Sequence, residues 1–514
     1  MSAEICRADR IGGHPMKRRL LCLLLASVML FGSMIGCANE NKPDSTDSKK
    51  DTQAATNTTE SDTSEQGYTD SVPEMNLNGK EISILAKKKA GVEDELYSEG
   101  EKGILINDKV YIRNRNVEDR LGVKMKVDLV DEPHENLPKE VASGSGHFVI
   151  SDSTYFAIQE VMKGSYRNLN ESPYVDTDKL YWSQGYNNIA SYGDKQYLAT
   201  GSIALSLFRY MFITIYNKKL FENKGVGDLV EVVKNYEWTL EYQESIIKDT
   251  YVDVNNNGKM DKDDFYGFIT GDIVSVDPYC VASGIELISK DESSGEWIYD
   301  TSKLEQMDAL GEVVRRIYKE CNGTYVFKGA ESDDTGKTNI VEMFSNQNGM
   351  MATVQLYALE TNAGNMDFDY GIAPIPKLSK DQKFYASYVQ DQVTSYGISI
   401  VTKDDDMEMV SAFLEALASE SYKIVVDAYY NTALYRYLKN PESKETLNMI
   451  YDSVKFDFVG AYSNLITGCV MRDQLRPILS GSNTRGISST MKRWEPKASK
   501  ALKDINQKLD KLSD

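Results

Sequence analysis

Apolar and polar positions follow recognisable periods along most of this chain. Lys80-Glu81-Ile82-Ser83-Ile84-Leu85-Ala86 predicts a first strand, and Ile106, Val110, Val117 and Leu121 then recur at helical spacing before Gly122, a helix-stop residue. Val123 to Val130 alternates with period two and predicts a second strand. Phe148-Val149-Ile150-Ser151-Asp152 predicts a short buried strand that ends on a carboxylate. Strand, helix, strand, helix, strand is the signature of a parallel sheet. Such a sheet takes its ligands beyond the carboxyl ends of its strands. Helical patterns recur at Leu229–Tyr236, Thr239–Lys248, Ser302–Lys319, Met407–Ala418 and Ser488–Leu512. A body this long exceeds what one core organises, so two lobes are expected. No fixed-period repeat is visible, which argues against a solenoid.

Before Leu77 the pattern is different. Met16-Lys17-Arg18-Arg19 is a basic cluster, Leu20 to Phe31 is almost wholly apolar, and Gly32-Ser33-Met34-Ile35-Gly36-Cys37 follows. The apolar run falls well short of the roughly 20 residues of a membrane-spanning helix. The order is that of a secretion signal, and Gly36-Cys37 stands where a lipobox is cleaved. Residues 1–36 are therefore read as a signal peptide and Cys37 as the lipidated residue, with Met34 departing from the more usual leucine. Residues 1–15 do not suit a signal, so Met16 is the expected start. From Cys37 to residue 76 the chain is polar and builds no core; it reads as a lipidated cysteine and a disordered tether. At coil dimensions it holds the body about 30–40 Å from the membrane.

Composition narrows the function. The formal charge is −20, and near −23 once residues 1–36, with five basic and two acidic side chains, are gone. That surface repels nucleic acid and anionic headgroups, leaving the lipid as the expected membrane contact. Cys6 and Cys22 leave with the signal; Cys280, Cys321 and Cys469 remain. Three widely spaced cysteines make no disulfide framework, and buried free thiols are expected, with one pair left open. Three histidines in the whole chain argue against a His-based zinc or nucleophile site. No GxSxG elbow, Walker loop or GxGxxG turn occurs. A glycosidase carboxylate pair remains the rival reading, and no enzyme is expected.

Several segments carry a resemblance. Leu77-Asn78-Gly79-Lys80 feeds the first strand; Ile215-Tyr216-Asn217-Lys218-Lys219-Leu220-Phe221 and Trp238-Thr239-Leu240 follow; then come Asn348-Gly349-Met350-Met351-Ala352 and Gly371-Ile372-Ala373-Pro374-Ile375-Pro376. In this order the chain resembles the extracellular solute-binding proteins (family 1) of carbohydrate ABC importers, although the Met/Ala order after Gly349 departs from the family's pattern. The resemblance implies an α/β, two-lobed periplasmic-binding-protein-like fold (type II) with hinge crossings near 199–214 and 392–399 and a third nearer 440. It places the first part of lobe 1 at 77–205, the main part of lobe 2 at 206–392, the rest of lobe 1 at 393–440, and C-terminal helices of lobe 2 at 441–514. It also implies a monomer without catalysis that serves ABC permease subunits at the extracellular face of the cell membrane, in a Gram-positive bacterium.

Asp253-Val254-Asn255-Asn256-Asn257-Gly258-Lys259-Met260-Asp261-Lys262-Asp263-Asp264 matches an EF-hand loop. Oxygen side chains stand at positions one, three, five, nine and twelve (Asp253, Asn255, Asn257, Asp261, Asp264), the Lys259 carbonyl at seven, and glycine at six for the sharp turn. Calcium needs six to eight converging oxygens. A structural Ca2+ is expected within the second lobe. The aspartate at position twelve favours moderate affinity, and the single copy argues against a dockerin.

Sugar sites join aromatic faces to amides and carboxylates. The excess of 32 tyrosines over 15 phenylalanines favours rings with a polar handle. By location, the candidates are Asp152, Ser153 and Tyr155 at the third strand's end, and Phe208, Arg209 and above all Tyr210 in the first crossing. Asp277 and Tyr279 lie in the second lobe, Gln355 and Tyr357 after the Gly349 turn, and Gln390 and Asp391 before the second crossing. Trp494 is a further stacking candidate, against an alternative as part of an amphipathic surface helix. Asp152 is also a candidate helix cap, whereas Trp182 and Trp238 are expected to pack inside. The expected solute is a carbohydrate, an oligosaccharide; a peptide cargo, or service to a sensor, is the alternative.

Overall fold

The structure, a computed structural model, describes residues 65–512 apart from 90, 272–273, 321–323, 330–338, 431–437, 439–441, 467–473, 482 and 484. The signal, Cys37, most of the tether, Cys321, Cys469 and the crossing expected near 440 lie outside the described residues. Tyr68–Asp514 forms one unit.

The first sheet grows from the alternating segments. β1 (Lys80–Lys87) is followed by α1 (Leu105–Leu121), β2 (Val123–Val130), α2 (Pro133–Ser143), β3 (Val149–Ser153) and α3 (Thr154–Val161). β1 lies between β2 and β3, parallel to both. Gly122 ends α1 with φ 65°, and its N–H donates to the Glu118 carbonyl. That left-handed step suits a residue without a Cβ.

The second sheet holds β4 (Phe212–Asn217), β5 (Tyr266–Gly271), β6 (Val326–Gly329), β7 (Gly349–Gln355) and β8 (Tyr370–Ala373), in the order β6-β5-β7-β4-β8. β6, β5 and β7 run parallel, while β4 pairs antiparallel with both β7 and β8. The chain then returns to the first sheet, where β9 (Thr394–Ile398) pairs antiparallel with β3. Further helices include α4 (Leu304–Arg315), α5 (Asp404–Glu420) and α6 (Ile487–Lys511).

Period-two alternation sorts strand residues between two cores. Ile84 and, from β4, Ile213 and Ile215 join one core with Val110, Val117, Phe413 and Leu417. Leu85, Phe212 and Tyr216 join the other, with Ile158, Leu310, Val314 and the apolar stripe of α6. Buried apolar side chains of this number are the main source of stability. Trp238 is fully buried and donates Nε1–H to the Pro374 carbonyl at 2.8 Å. Trp182 donates to buried Glu415 at 3.0 Å.

Two segments link the sheets side by side. Ala199 and Tyr396 exchange backbone hydrogen bonds of 2.9 and 2.8 Å, and the Gln390 N–H donates to the Tyr210 carbonyl at 3.1 Å. Between these, the Thr394 N–H donates to Ser206 Oγ at 3.0 Å. Gly201 packs so closely under this pair that a Cβ would overlap the Tyr181 carbonyl. The C-terminal segment reaches both sides. Asn506 of α6 holds the Trp297 backbone through two 3.1 Å bonds, while Tyr462 Oη donates to the Ile189 carbonyl at 2.8 Å.

Candidate functional site

The carboxyl ends of β1 and β3 gather charge. Asp152 closes on its own lobe: Oδ2 accepts from the His134 backbone N–H at 3.0 Å and lies 2.9 Å from Nδ1 of its ring, while Oδ1 accepts from the Ser153 N–H at 2.7 Å. Lys87 Nζ stands 3.6 Å from Asp152 and 3.3 Å from Glu132. The His134 ring stacks on Phe156 at 3.8 Å, and Lys87 lies over the same ring at 5.1 Å. The expected acceptor is thus already engaged inside the protein, where it sets the positions of Lys87 and His134. Ser153, buried, is the N-cap of α3 without a side-chain cap bond, and the Asp152 carboxylate meets the Ser153 N–H directly.

Across from this edge stand the crossing residues. The backbone N–H of Tyr155 donates to the Asp391 carbonyl at 3.0 Å, and that of Thr154 to Val393 at 2.8 Å. Tyr155 Oη bonds Asn464 of the C-terminal segment. Gln355, at the end of β7, donates to Gln390 at 2.7 Å. Lys89 Nζ sits 5.0 Å above the Tyr210 ring. Burial first, and then the Lys87 charge, lower this ammonium below its ordinary value; Asp391 and Glu132 oppose them. Asp152, Ser153, Tyr155, Tyr210, Gln355, Gln390 and Asp391 therefore stand at this junction between the two sheets.

Asp277 is buried in an ion pair, with Arg476 Nε at 2.8 Å and a second contact through Nη2. Burial disfavours the guanidinium, and Asp277 outweighs it, holding Arg476 above its ordinary value. Asp391 and Tyr388 also act on Arg476, so this pair borders the same junction.

Arg209 is the best-held cation in the molecule's crossing. Its guanidinium donates to Asp94 at 2.6 and 2.9 Å, to Glu360 at 3.0 and 2.7 Å, and to the Gly91 carbonyl at 3.0 Å. The Tyr357 and Tyr429 rings flank it at 5.6 and 5.8 Å. Tyr357 thus packs against this cluster and over Gly91. Phe208 stacks on Tyr451 at 5.0 Å within the core.

Two candidates go elsewhere. Tyr279 is buried in a core, edge-on to Tyr318, because its neighbours Cys280, Val281 and Ala282 are buried with it. Trp494 rides on α6 under Lys497 at 4.8 Å, which is the amphipathic-helix alternative. A cavity of about 400 Å³ opens beside that helix, among Met162, Leu465, Lys497, Lys500, Asp504 and Lys508. It takes in none of the solute candidates. Cys280 is a buried free thiol, pushed well above its ordinary pKa by burial.

Lys87, Lys89, His134, Phe156 and Arg476 went unnamed in the sequence reading. Lys87 and Lys89 had a signal: they close and follow the first strand, at the edge where ligands sit. Arg476 had none, since its partner lies 199 residues away.

In the loop 253–264, side-chain oxygens turn inward onto backbone N–H groups. Asp253 accepts from Asn257 and Gly258 at 3.2 and 3.0 Å, Asn255 from Asn257 at 2.9 Å, and Asp261 from Asp263 at 3.0 Å. Asn257 Nδ2 donates to Asp261 at 2.9 Å, and its Oδ1 accepts from the Lys259 N–H at 2.6 Å. Asn257 first, then the Asp263 N–H, hold the Asp261 carboxyl below its ordinary value. Asp264 is buried at the base, accepting from Tyr251 at 2.9 Å and from the Val254 and Asp261 N–H groups. Among the described residues no three or more His, Cys, Asp or Glu side chains converge as a metal cluster. The loop's oxygens fit a calcium set only with Asn255 and Asn257 counted as ligands.

No protein-family model matches the chain, and no curated protein does. Solved structures do. The cyclic alpha-maltosyl-1,6-maltose binding protein of Arthrobacter globiformis is 12% identical, covering 83% of this chain and 100% of its own, with a TM-score of 0.55. The galacto-N-biose-/lacto-N-biose I-binding protein of an ABC transporter from Bifidobacterium longum is 9% identical, covering 84% and 98%, also at 0.55. The maltose/maltodextrin-binding domain MalE of Bdellovibrio bacteriovorus, bound to maltotriose, is 14% identical, covering 82% and 100%, at 0.50. The chain therefore has the two-lobed α/β fold of periplasmic-type binding proteins.

Proposed function

We propose that this chain is the solute-capturing component of a carbohydrate ABC importer, non-catalytic and monomeric, taking an oligosaccharide between its lobes and presenting it to permease subunits. One observation carries the reading: aromatic, amide and charged side chains from both sheets face one another at the carboxyl edge of the first sheet, Tyr210, Gln355, Gln390 and Lys89 among them. Proteins of the same fold bind maltotriose and lacto-N-biose. Planar amides and rings are what sugar hydroxyls and C–H faces require. A thermal-shift screen of oligosaccharides tests it. A ligand at a hundred times its Kd adds about 2.7 kcal/mol, a visible rise. A shift with peptides and none with any glycan would overturn the sugar reading.

The reading includes a lipid on Cys37 and a tether that keeps the body at the extracellular face. The basic cluster, apolar run and Gly36-Cys37 junction support it. N-terminal mass spectrometry should find a diacylglycerol-modified Cys37; a mature chain without lipid would refute the anchor.

Calcium belongs to the same proposal, as a structural ion held by Asp253, Asn255, Asn257, the Lys259 carbonyl and Asp261, with Asp264 bracing the loop. When bound, the ion would replace backbone N–H groups as the partner of the inward oxygens. Isothermal titration should show one site, and EDTA should lower the melting temperature. No heat and no shift would remove calcium from the account.

A further inference from the structure

The junction holds two cations from one short segment, Lys87 and Lys89, in different states. Lys87 is met by Glu132 at 3.3 Å and Asp152 at 3.6 Å. Lys89 Nζ is half-buried over the Tyr210 ring, and among the described residues no carboxylate or carbonyl lies within hydrogen-bond distance of it. The hydroxyl of that same Tyr210 is buried and also lacks a hydrogen-bond partner. A ring face offers an ammonium some attraction, but it takes up none of the three N–H donors, which stay open to solvent or to a solute. The Lys89 ammonium thus stands two residues beyond the first strand, where a ligand is expected, while the buried Tyr210 hydroxyl lies among the charges of Glu95, Arg209 and Asp94.

We propose that the solute carries an anionic group, the carboxylate of a hexuronic acid residue, which pairs with Lys89. This rests on the oligosaccharide reading and narrows it. A carboxylate has two oxygens and about four acceptor sites, so one group can take up more than one of the ammonium's donors. A neutral sugar hydroxyl can accept from the ammonium, but it leaves the charge uncompensated. Charge-assisted hydrogen bonds are roughly twice as strong as neutral ones. Nearby Glu132 is occupied by Lys87. Asp391 acts on Lys89 only as a charge at a distance and does not fill its donors.

The experiment uses oligosaccharides of galacturonate, glucuronate and mannuronate, each beside its carboxyl-reduced form, titrated into the purified chain and into Lys89→Met. At least one acidic member should bind tenfold or more tighter than its reduced twin, and Lys89→Met should abolish that difference. Equal binding of the twins, or a preference that survives in Lys89→Met, overturns the inference. Binding confined to neutral glycans overturns it too, and leaves the carbohydrate reading standing. Binding by no glycan at all, acidic or neutral, defeats that reading as well.

Discussion

Arg209 precedes Tyr210 in the chain and Lys89 lies over the Tyr210 ring, and the protein treats the two cations oppositely. Arg209 spends its guanidinium on two carboxylates and a carbonyl, between two rings, and is almost wholly buried. Lys89 faces the ring of the next residue, Tyr210, and nothing in the described protein fills its donors. A planar fork suits a fixed structural junction, because its geometry is set in advance. A flexible ammonium suits a partner that arrives and leaves. The difference separates the part of the crossing that is held fast from the part we assign to a solute.

Arg209→Met gives the largest effect. It leaves Asp94 and Glu360 facing each other without a cation, and breaking a buried ion network by removing one partner costs about 3–5 kcal/mol. Partial exposure of the two carboxylates places the expectation at about 3 kcal/mol. Urea unfolding followed by tryptophan fluorescence measures it. Adding Asp94→Asn and Glu360→Gln should recover part of the loss. A single variant as stable as the parent would show that the clamp is not structural.

The secondary structure was legible because it follows local periods: β1, α1 with its Gly122 stop, and β2 fall where alternation and helical spacing put them. The two-lobe fold was legible from segment order, since Trp238 and the segment after Gly371 pack together as a helix start and strand end. The site was legible only as an edge. Asp152 can be placed at the end of a buried strand from the sequence, but its partners His134 and Lys87 depend on register between separate strands. Asp277 can be named from the apolar run before it, but its pairing with Arg476 spans most of the second half of the chain. Tyr279 packs in a core against Tyr318, because an apolar run tells that a segment is buried, not which way a tyrosine turns.

A smaller effect tests the same clamp through pH. Glu95 is fully buried beside it; the Ser206 N–H and Tyr396 Oη donate to its carboxyl, and burial raises its pKa from 4.5 to about 7. A carboxyl raised on folding binds its proton more tightly in the native state. Stability from this group is therefore full below about 4.5 and lost as pH rises through about 7. Glu415, also raised to about 7 by burial, adds a slope of the same sign. Glu95→Gln, neutral at every pH, should flatten the decline between pH 5 and 8 by on the order of 1–2 kcal/mol. An unchanged slope would show that Glu95 is ionised throughout.

Lys89→Met should change stability least, and that is its value. Met keeps the apolar stem and the contact with the Tyr210 ring while removing a half-buried ammonium that has no anion beside it. The lost attraction to the ring, about 0.5–1 kcal/mol, is offset by the desolvation that no longer has to be met. The net change in urea should stay within about 0.5 kcal/mol, several times less than for Arg209→Met. A loss of 2 kcal/mol or more, on the scale of a buried network, would mean that Lys89 is a second structural cation. The contrast between the two residues would then disappear, and with it the physical reason for assigning Lys89 to the solute.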